Sequence, residues 1–133
     1  TIANKKYLSE ILATFKKAGI RTSIFVDPSA AMIAGAKETG TDRIELYTEH
    51  YAANYSTNKE VAIQQYIIAA EKANELQLGI NAGHDLDLMN LQYFGKHIPQ
   101  LLEVSIGHAL VCDAIYLGLQ NTIQLYKRQI HEL

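Results

Sequence analysis

Two hydrophobic periods, 3.6 and 2, alternate along this chain. From Asn4 to Ala18 the apolar residues Tyr7, Leu8, Ile11, Leu12 and Phe15 fall on one helical stripe, and Gly19 stands where a C-terminal cap belongs. Arg21–Asp27 then concentrates β-branched and aromatic residues and predicts a strand. Asp27-Pro28-Ser29 breaks it and caps a helix over Ala30–Glu38, which buries Met32, Ile33 and Ala36 and stops at Gly40. Arg43–Thr48 predicts a second strand, followed by a loop of polar and aromatic residues from Glu49 to Ser56. Thr57-Asn58-Lys59-Glu60 matches a capping box, in which the Thr hydroxyl and the Glu carboxylate satisfy free N–H groups, and it opens a helix running to about Leu76. Gln77-Leu78-Gly79 turns into a third strand at Ile80–Ala82. Met89–Phe94 predicts a helical turn or two, and Ile98-Pro99 introduces a fourth strand near Leu102–Ile106. The tail reads as two helices, Ala109–Leu117 and Leu119–His131, divided at Gly118.

A helix followed by four strand-helix units implies an α/β fold with a parallel sheet and right-handed crossovers. Two architectures satisfy this order: a small doubly wound domain, or half of an eight-stranded (β/α)8 barrel, which takes about 250 residues in full. No low-complexity linker interrupts the chain, so residues 1–133 read as one unit.

Composition narrows the function classes. The 133 residues carry a net charge of −2, with a pI of about 6.2, so no basic surface argues for nucleic acid or an anionic membrane. No apolar run approaches the roughly 18 residues of a membrane span, and no secretory-type segment opens the chain. Cys112 is the single cysteine. It has no internal disulfide partner, fits a reducing cytosol, and reads as a small buried apolar group. The first residue is Thr1 rather than Met.

Candidate chemistry gathers at strand ends. The third strand runs out through Asn81-Ala82-Gly83-His84, and the fourth through Ser105-Ile106-Gly107-His108. If these strands are parallel neighbours, both Gly-His pairs lie at one end of the sheet, where α/β enzymes place their chemistry. His84 suits proton transfer near neutral pH, with a loop hydrogen bond as the plainer reading. A metal site of His84, Asp85 and Asp87 is a third reading, although one short loop seldom supplies all the ligands. Gly107 and His108 precede a helix start, whose N–H groups and dipole favour an anion such as phosphate; a turn glycine and a capping His is the alternative. Glu45 sits mid-strand, on the face opposite Ile44 and Leu46. In a barrel that places its carboxylate inside, near His84; otherwise it is an outward Glu salt-bridged beneath a helix. Lys16, Lys17, Lys37, Lys59 and Lys72 read as solvated helix faces, and Tyr51 and Tyr55 as packing in a lid loop or an interface.

Four segments together resemble the deoxyxylulose-phosphate-dependent pyridoxine 5′-phosphate synthases of bacterial vitamin B6 biosynthesis. They are Thr22-Ser23-Ile24-Phe25-Val26-Asp27; Ile44-Glu45-Leu46-Tyr47-Thr48 with Tyr51-Ala52; Ile80-Asn81-Ala82-Gly83-His84; and Glu103-Val104-Ser105-Ile106-Gly107-His108-Ala109. They stand in the family's order and spacing and cover nearly the whole chain. The resemblance implies the C-terminal half of a single TIM-barrel domain, with four parallel strands alternating with helices. It implies condensation of 3-amino-2-oxopropyl phosphate with 1-deoxy-D-xylulose 5-phosphate, without metal or organic cofactor, in a cytoplasmic homo-oligomer. It makes His84 a catalytic proton donor, Glu45 the inward carboxylate that stabilises charged intermediates, and Asp85, Gly107 and His108 the contacts of the amino-ketone phosphate. Asp85 stands where the family usually has Gly, Tyr47 where it often has His, and Glu49 where it often has Gly. The family's remaining catalytic and phosphate-binding residues come from the first four strands, so the chain is expected to be one piece of a larger molecule and inactive alone. Two other functions stay open from the residues themselves: a different phosphate-binding barrel isomerase or lyase, and a non-enzymatic flavodoxin-like module with its sheet covered on both faces.

Overall fold

The structure is a computed structural model and describes residues 2–131. Its elements are α1 (Lys5–Lys17), β1 (Ser23–Val26), α2 (Ala30–Glu38), β2 (Arg43–Tyr47), α3 (Glu49–Glu75), β3 (Gly79–Gly83), α4 (Leu91–His97), β4 (Leu101–Ser105), α5 (His108–Leu117) and α6 (Leu119–His131). The four strands form one sheet in the order β1-β2-β3-β4, and every neighbouring pair is parallel. Each crossover therefore moves one strand further in the same direction. Right-handed crossovers that never reverse place all the helices on one face. Ile24, Val26, Ile44, Leu46, Ile80 and Ala82 point to that face and are buried. The opposite face carries one row in register, Phe25-Glu45-Asn81-Glu103, and Phe25 there is 46% exposed. Among the described residues the sheet is thus covered on one face only, unlike a flavodoxin-like module.

Arg21, just before β1, donates to Glu103 of β4 at 3.1 Å, so side chains from the two outer strands meet across the face the helices leave open.

Beneath the sheet, Tyr51, Tyr66 and Phe94 meet edge to face with centroids 5.0–5.9 Å apart. All three are fully buried, and their polar atoms are used. The Tyr66 hydroxyl donates to the Tyr47 carbonyl at 2.9 Å and accepts from the Tyr51 N–H at 3.2 Å. The Tyr51 hydroxyl donates to the Asn90 carbonyl at 2.8 Å. Burial raises Tyr66 to about 12 and raises Tyr51 further, so both keep their protons as donors.

Three sequence expectations are corrected. Glu49–Ser56 is helical, not a loop, and Tyr51 belongs to the core rather than a lid. The pair Tyr51–Tyr55 has helical i,i+4 spacing, and its rings touch at 5.4 Å. The capping box is displaced by one residue. Asn58, at φ −159° and ψ 92°, interrupts α3, and its Oδ1 accepts from Val61 N–H at 3.0 Å, so Asn58 rather than Thr57 caps the longer segment. Cys112 is exposed, because α5 buries none of its residues among those described. Of the lysines read as solvated helix faces, Lys16 pairs with Asp42 at 2.8 Å, Lys72 with Glu75 at 2.9 Å, and Lys59 lies over the Tyr93 ring at 4.8 Å.

Candidate active site

Strand β3 ends against β4 more closely than a side chain permits. A Cβ on Gly83 would lie 2.2 Å from the Ser105 carbonyl oxygen, so only glycine fits. That approach lets the His84 N–H donate to the same oxygen at 2.9 Å. His84 itself has φ +76°, a left-handed conformation that costs an L-residue roughly 1–2 kcal/mol. The chain turns there instead of continuing the strand, and the imidazole lifts onto the open face with 60% of its side chain exposed.

Glu45 meets it from the neighbouring strand. Alternation along β2 puts Glu45 on the open face, not beneath a helix, and its Oε1 stands 3.4 Å from His84 Nδ1. Its side chain is only 18% exposed. Oε1 is buried and finds no hydrogen-bond partner among the described residues. Phe25 packs edge-on against the imidazole at 5.0 Å, and Tyr47 packs against Phe25 at 5.3 Å. A buried carboxylate oxygen beside an imidazole strengthens attraction to a positive charge, whether on the ring or on something bound above it.

His84 also borders a cleft of about 460 Å³, together with Ser105, Ile106, Gly107 and His108. His108 is the first residue of α5. Nothing lies within 4 Å of where a Gly107 Cβ would be, so the glycine leaves room above the helix start, where free N–H groups favour an anion. The two Gly-His pairs therefore share one cleft, with Glu45 behind His84.

Asp85 stands apart. It is absent from that cleft's lining, and its Oδ2 is buried without a hydrogen-bond partner among the described residues. Its backbone is held at both ends: the N–H donates to Thr48 Oγ1 at 3.3 Å, and the carbonyl accepts from Asn90 Nδ2 at 3.2 Å. Asp87 is engaged as a cap, its Oδ1 accepting from the Met89 and Asn90 N–H groups at 2.8 and 2.9 Å. No cluster of three or more His, Cys, Asp or Glu side chains suited to a metal occurs among the described residues. The sequence reading overlooked Thr48, whose hydroxyl also donates to the Gly83 carbonyl. Only its place at the end of β2 pointed to the site.

A singly wound parallel sheet with an imidazole-carboxylate pair and a helix N-terminus at its strand C-terminal ends has the layout of (β/α)8-barrel enzymes, and these four strands form half of one. The model of the family described as pyridoxal phosphate biosynthesis protein PdxJ matches residues 1–132, and the chain belongs to this family of vitamin B6 synthesis. It is 62% identical over 130 residues to a pyridoxine 5′-phosphate synthase of Cytophaga hutchinsonii, covering 98% of this chain and 55% of the relative. It is 58% identical over 130 residues to that of Flavobacterium johnsoniae, with the same coverage. Identity to the protein of that name from Parabacteroides distasonis is 60% over 124 residues, covering 93% of this chain and 52% of the relative. The chain spans about half the length of the curated relatives it matches.

Proposed function

We propose that this chain is the C-terminal half of a single-domain pyridoxine 5′-phosphate synthase barrel. In this reading it acts on 3-amino-2-oxopropyl phosphate and 1-deoxy-D-xylulose 5-phosphate and closes the pyridine ring of pyridoxine 5′-phosphate with release of phosphate and water. The N-terminal half supplies the other phosphate-binding and catalytic groups, in a cytoplasmic homo-oligomer. The observation that carries the reading is the 3.4 Å approach of Glu45 to His84 beside the cleft that Gly107 and His108 also line.

The roles follow from chemistry. Ring closure expels oxygen leaving groups, and each departs faster when protonated; His84 is the donor placed at the cleft. Glu45 stabilises the imidazolium before transfer and cationic intermediates after it. Gly107 and His108 take the amino-ketone phosphate at the start of α5, where the helix dipole offsets its charge. Asp85 contributes through its backbone, with its carboxylate turned away from that phosphate. The test is His84→Asn in the protein carrying both halves of the barrel. Turnover is expected to fall by at least about 100-fold with an unchanged circular dichroism spectrum, and turnover kept near wild type refutes the assignment.

A further inference from the structure

Thr48 is the last residue before α3, in the position of a helix N-cap, with φ −106° and ψ 2°. A threonine there is ordinarily explained by its hydroxyl, which accepts from the N–H two or three residues on. Here it makes no such bond. The Tyr51 N–H, three residues on, is satisfied by the Tyr66 hydroxyl instead. The Thr48 hydroxyl is left for another partner, yet the residue is completely buried.

Its partner is the turn that carries His84. Thr48 Oγ1 donates to the Gly83 carbonyl and accepts from the Asp85 N–H at 3.3 Å. A hydroxyl has one proton to give and lone pairs to accept with, so one atom holds both peptide groups that flank His84. Those two groups define the left-handed backbone at φ +76°. Such a conformation persists only where the surroundings over-determine it. The third restraint, His84 N–H to the Ser105 carbonyl, comes from the opposite side, on β4. The His84 backbone is thus held from β4 through its own N–H, and from the segment just after β2 through the peptides before and after it. Glu45, on β2, lies three residues upstream of Thr48, so one short segment holds both the imidazole's carboxylate partner and the clasp on the imidazole's backbone.

We propose that Thr48 is a positioning residue for His84: its hydroxyl fixes the turn that aims the imidazole at Glu45 and the cleft. The inference rests on the catalytic reading of His84 for its effect on rate, but not for its effect on geometry. Thr48→Val removes the hydroxyl at nearly constant volume, and Thr48→Ser keeps the hydroxyl and removes a methyl group. Both are made in the protein carrying both halves of the barrel. Two quantities are read: the kcat and KM for each substrate, and the His84 imidazole signals in ¹H–¹³C spectra across pH, assigned by their loss in His84→Asn.

For Thr48→Val, kcat is expected to fall roughly tenfold to a hundredfold, as displacement of a catalytic group by about 1 Å does, with little change in KM. The His84 signals move as the ring leaves its place 3.4 Å from Glu45. Thr48→Ser is expected to restore most of the kcat and the wild-type signals. Unmoved His84 signals in a folded Thr48→Val protein overturn the proposal, and so does a Thr48→Ser protein as impaired as Thr48→Val. If Thr48→Val does not fold, Thr48→Ser decides alone: wild-type His84 signals support the hydroxyl's role, and displaced ones refute it. Moved signals with an unchanged kcat uphold the positioning and count against the catalytic reading of His84 instead.

Discussion

From the start of β1 and β2, Arg21 and Arg43 converge on the Glu103 carboxylate, midway along β4, at 3.1 and 2.7 Å, and Arg43 also donates to Asn81 at 3.1 Å. Glu45 instead faces His84, just past β3, at 3.4 Å with one oxygen buried and unpartnered among the described residues, and Asp85 keeps a second such oxygen. Glu45 and Glu103 stand in one register row on the open face of the sheet. In the first group each charged side chain has an opposite charge within reach. The second is left short of partners and hangs on a residue with φ +76°. Polar groups left unmatched in a partly buried place cost free energy, and a fold keeps them where something else is to be bound. The first group ties the strands together across the open face, and in the proposed function it is Glu45, in the second, that meets what is bound.

Substitutions in the two groups test that contrast. The largest expected effect is at Gly83, where alanine would put a methyl group into the Ser105 carbonyl. Gly83→Ala is expected to destabilise by about 3 kcal/mol or more, read as a lower urea midpoint. A loss below about 1 kcal/mol would mean that β3 and β4 separate easily and that the approach is not enforced. Next is Glu45→Gln. Turnover of the protein with both halves should fall about 100-fold, while stability stays level or rises, because a buried charge without a full set of partners is removed. Glu103→Gln should show the opposite signature: a loss of about 0.5–1 kcal/mol, since its ion pairs are partly exposed, with activity within about twofold of wild type. If Glu103→Gln slows turnover more than Glu45→Gln, the assignment of roles to the two groups is reversed.

The smallest effect concerns Asp42, at the entry to β2. The hydrogen bond from Lys16, then those from the Thr22 N–H and hydroxyl, lower its pKa from 3.8 to about 2. A carboxyl whose folded pKa lies below the unfolded one stabilises the fold above the unfolded value and loses that contribution as pH falls through the folded one. The window is therefore about pH 4 down to about pH 2. Because both partners are partly exposed, solvent holds the effect under about 1 kcal/mol. Asp42→Asn should narrow the stability difference between wild type and variant as pH drops through that window, by urea denaturation at several pH values. A difference that does not change with pH would show that Asp42 acts only through shape.

The strands were legible because each is bounded by a clear stop, Gly40 before β2 and Gly79 at β3, and because β-branched residues fill them. The Glu45–His84 meeting was legible too. Strand alternation fixed the face of Glu45, and parallel neighbours carry their C-terminal ends to one side. The helix over Glu49–Ser56 was missed because its polar residues look like loop and because Thr57 with Glu60 mimicked a start. Asn58 is the true cap, and the Tyr51–Tyr55 spacing held the helical signal. Cys112 was assigned by residue type, which says nothing about whether α5 has a neighbour to pack on. Thr48 was beyond reach: its hydroxyl's partners lie 35 and 37 residues away in sequence, and at a helix start a threonine already has an ordinary explanation.

The strand order β1-β2-β3-β4 leaves β1 and β4 as outer strands. An outer strand offers a row of backbone donors and acceptors to any chain that can lie beside it. For this sequence expressed by itself, association becomes a race. In the barrel proposed above, a complementary half that pairs with both borders at once removes them from circulation, whereas other copies that pair with one border leave another exposed and propagate. The practical outcome in a tube then depends on the order of mixing and on dilution: refolding at low concentration with the complement already present favours discrete particles, and late addition favours precipitate.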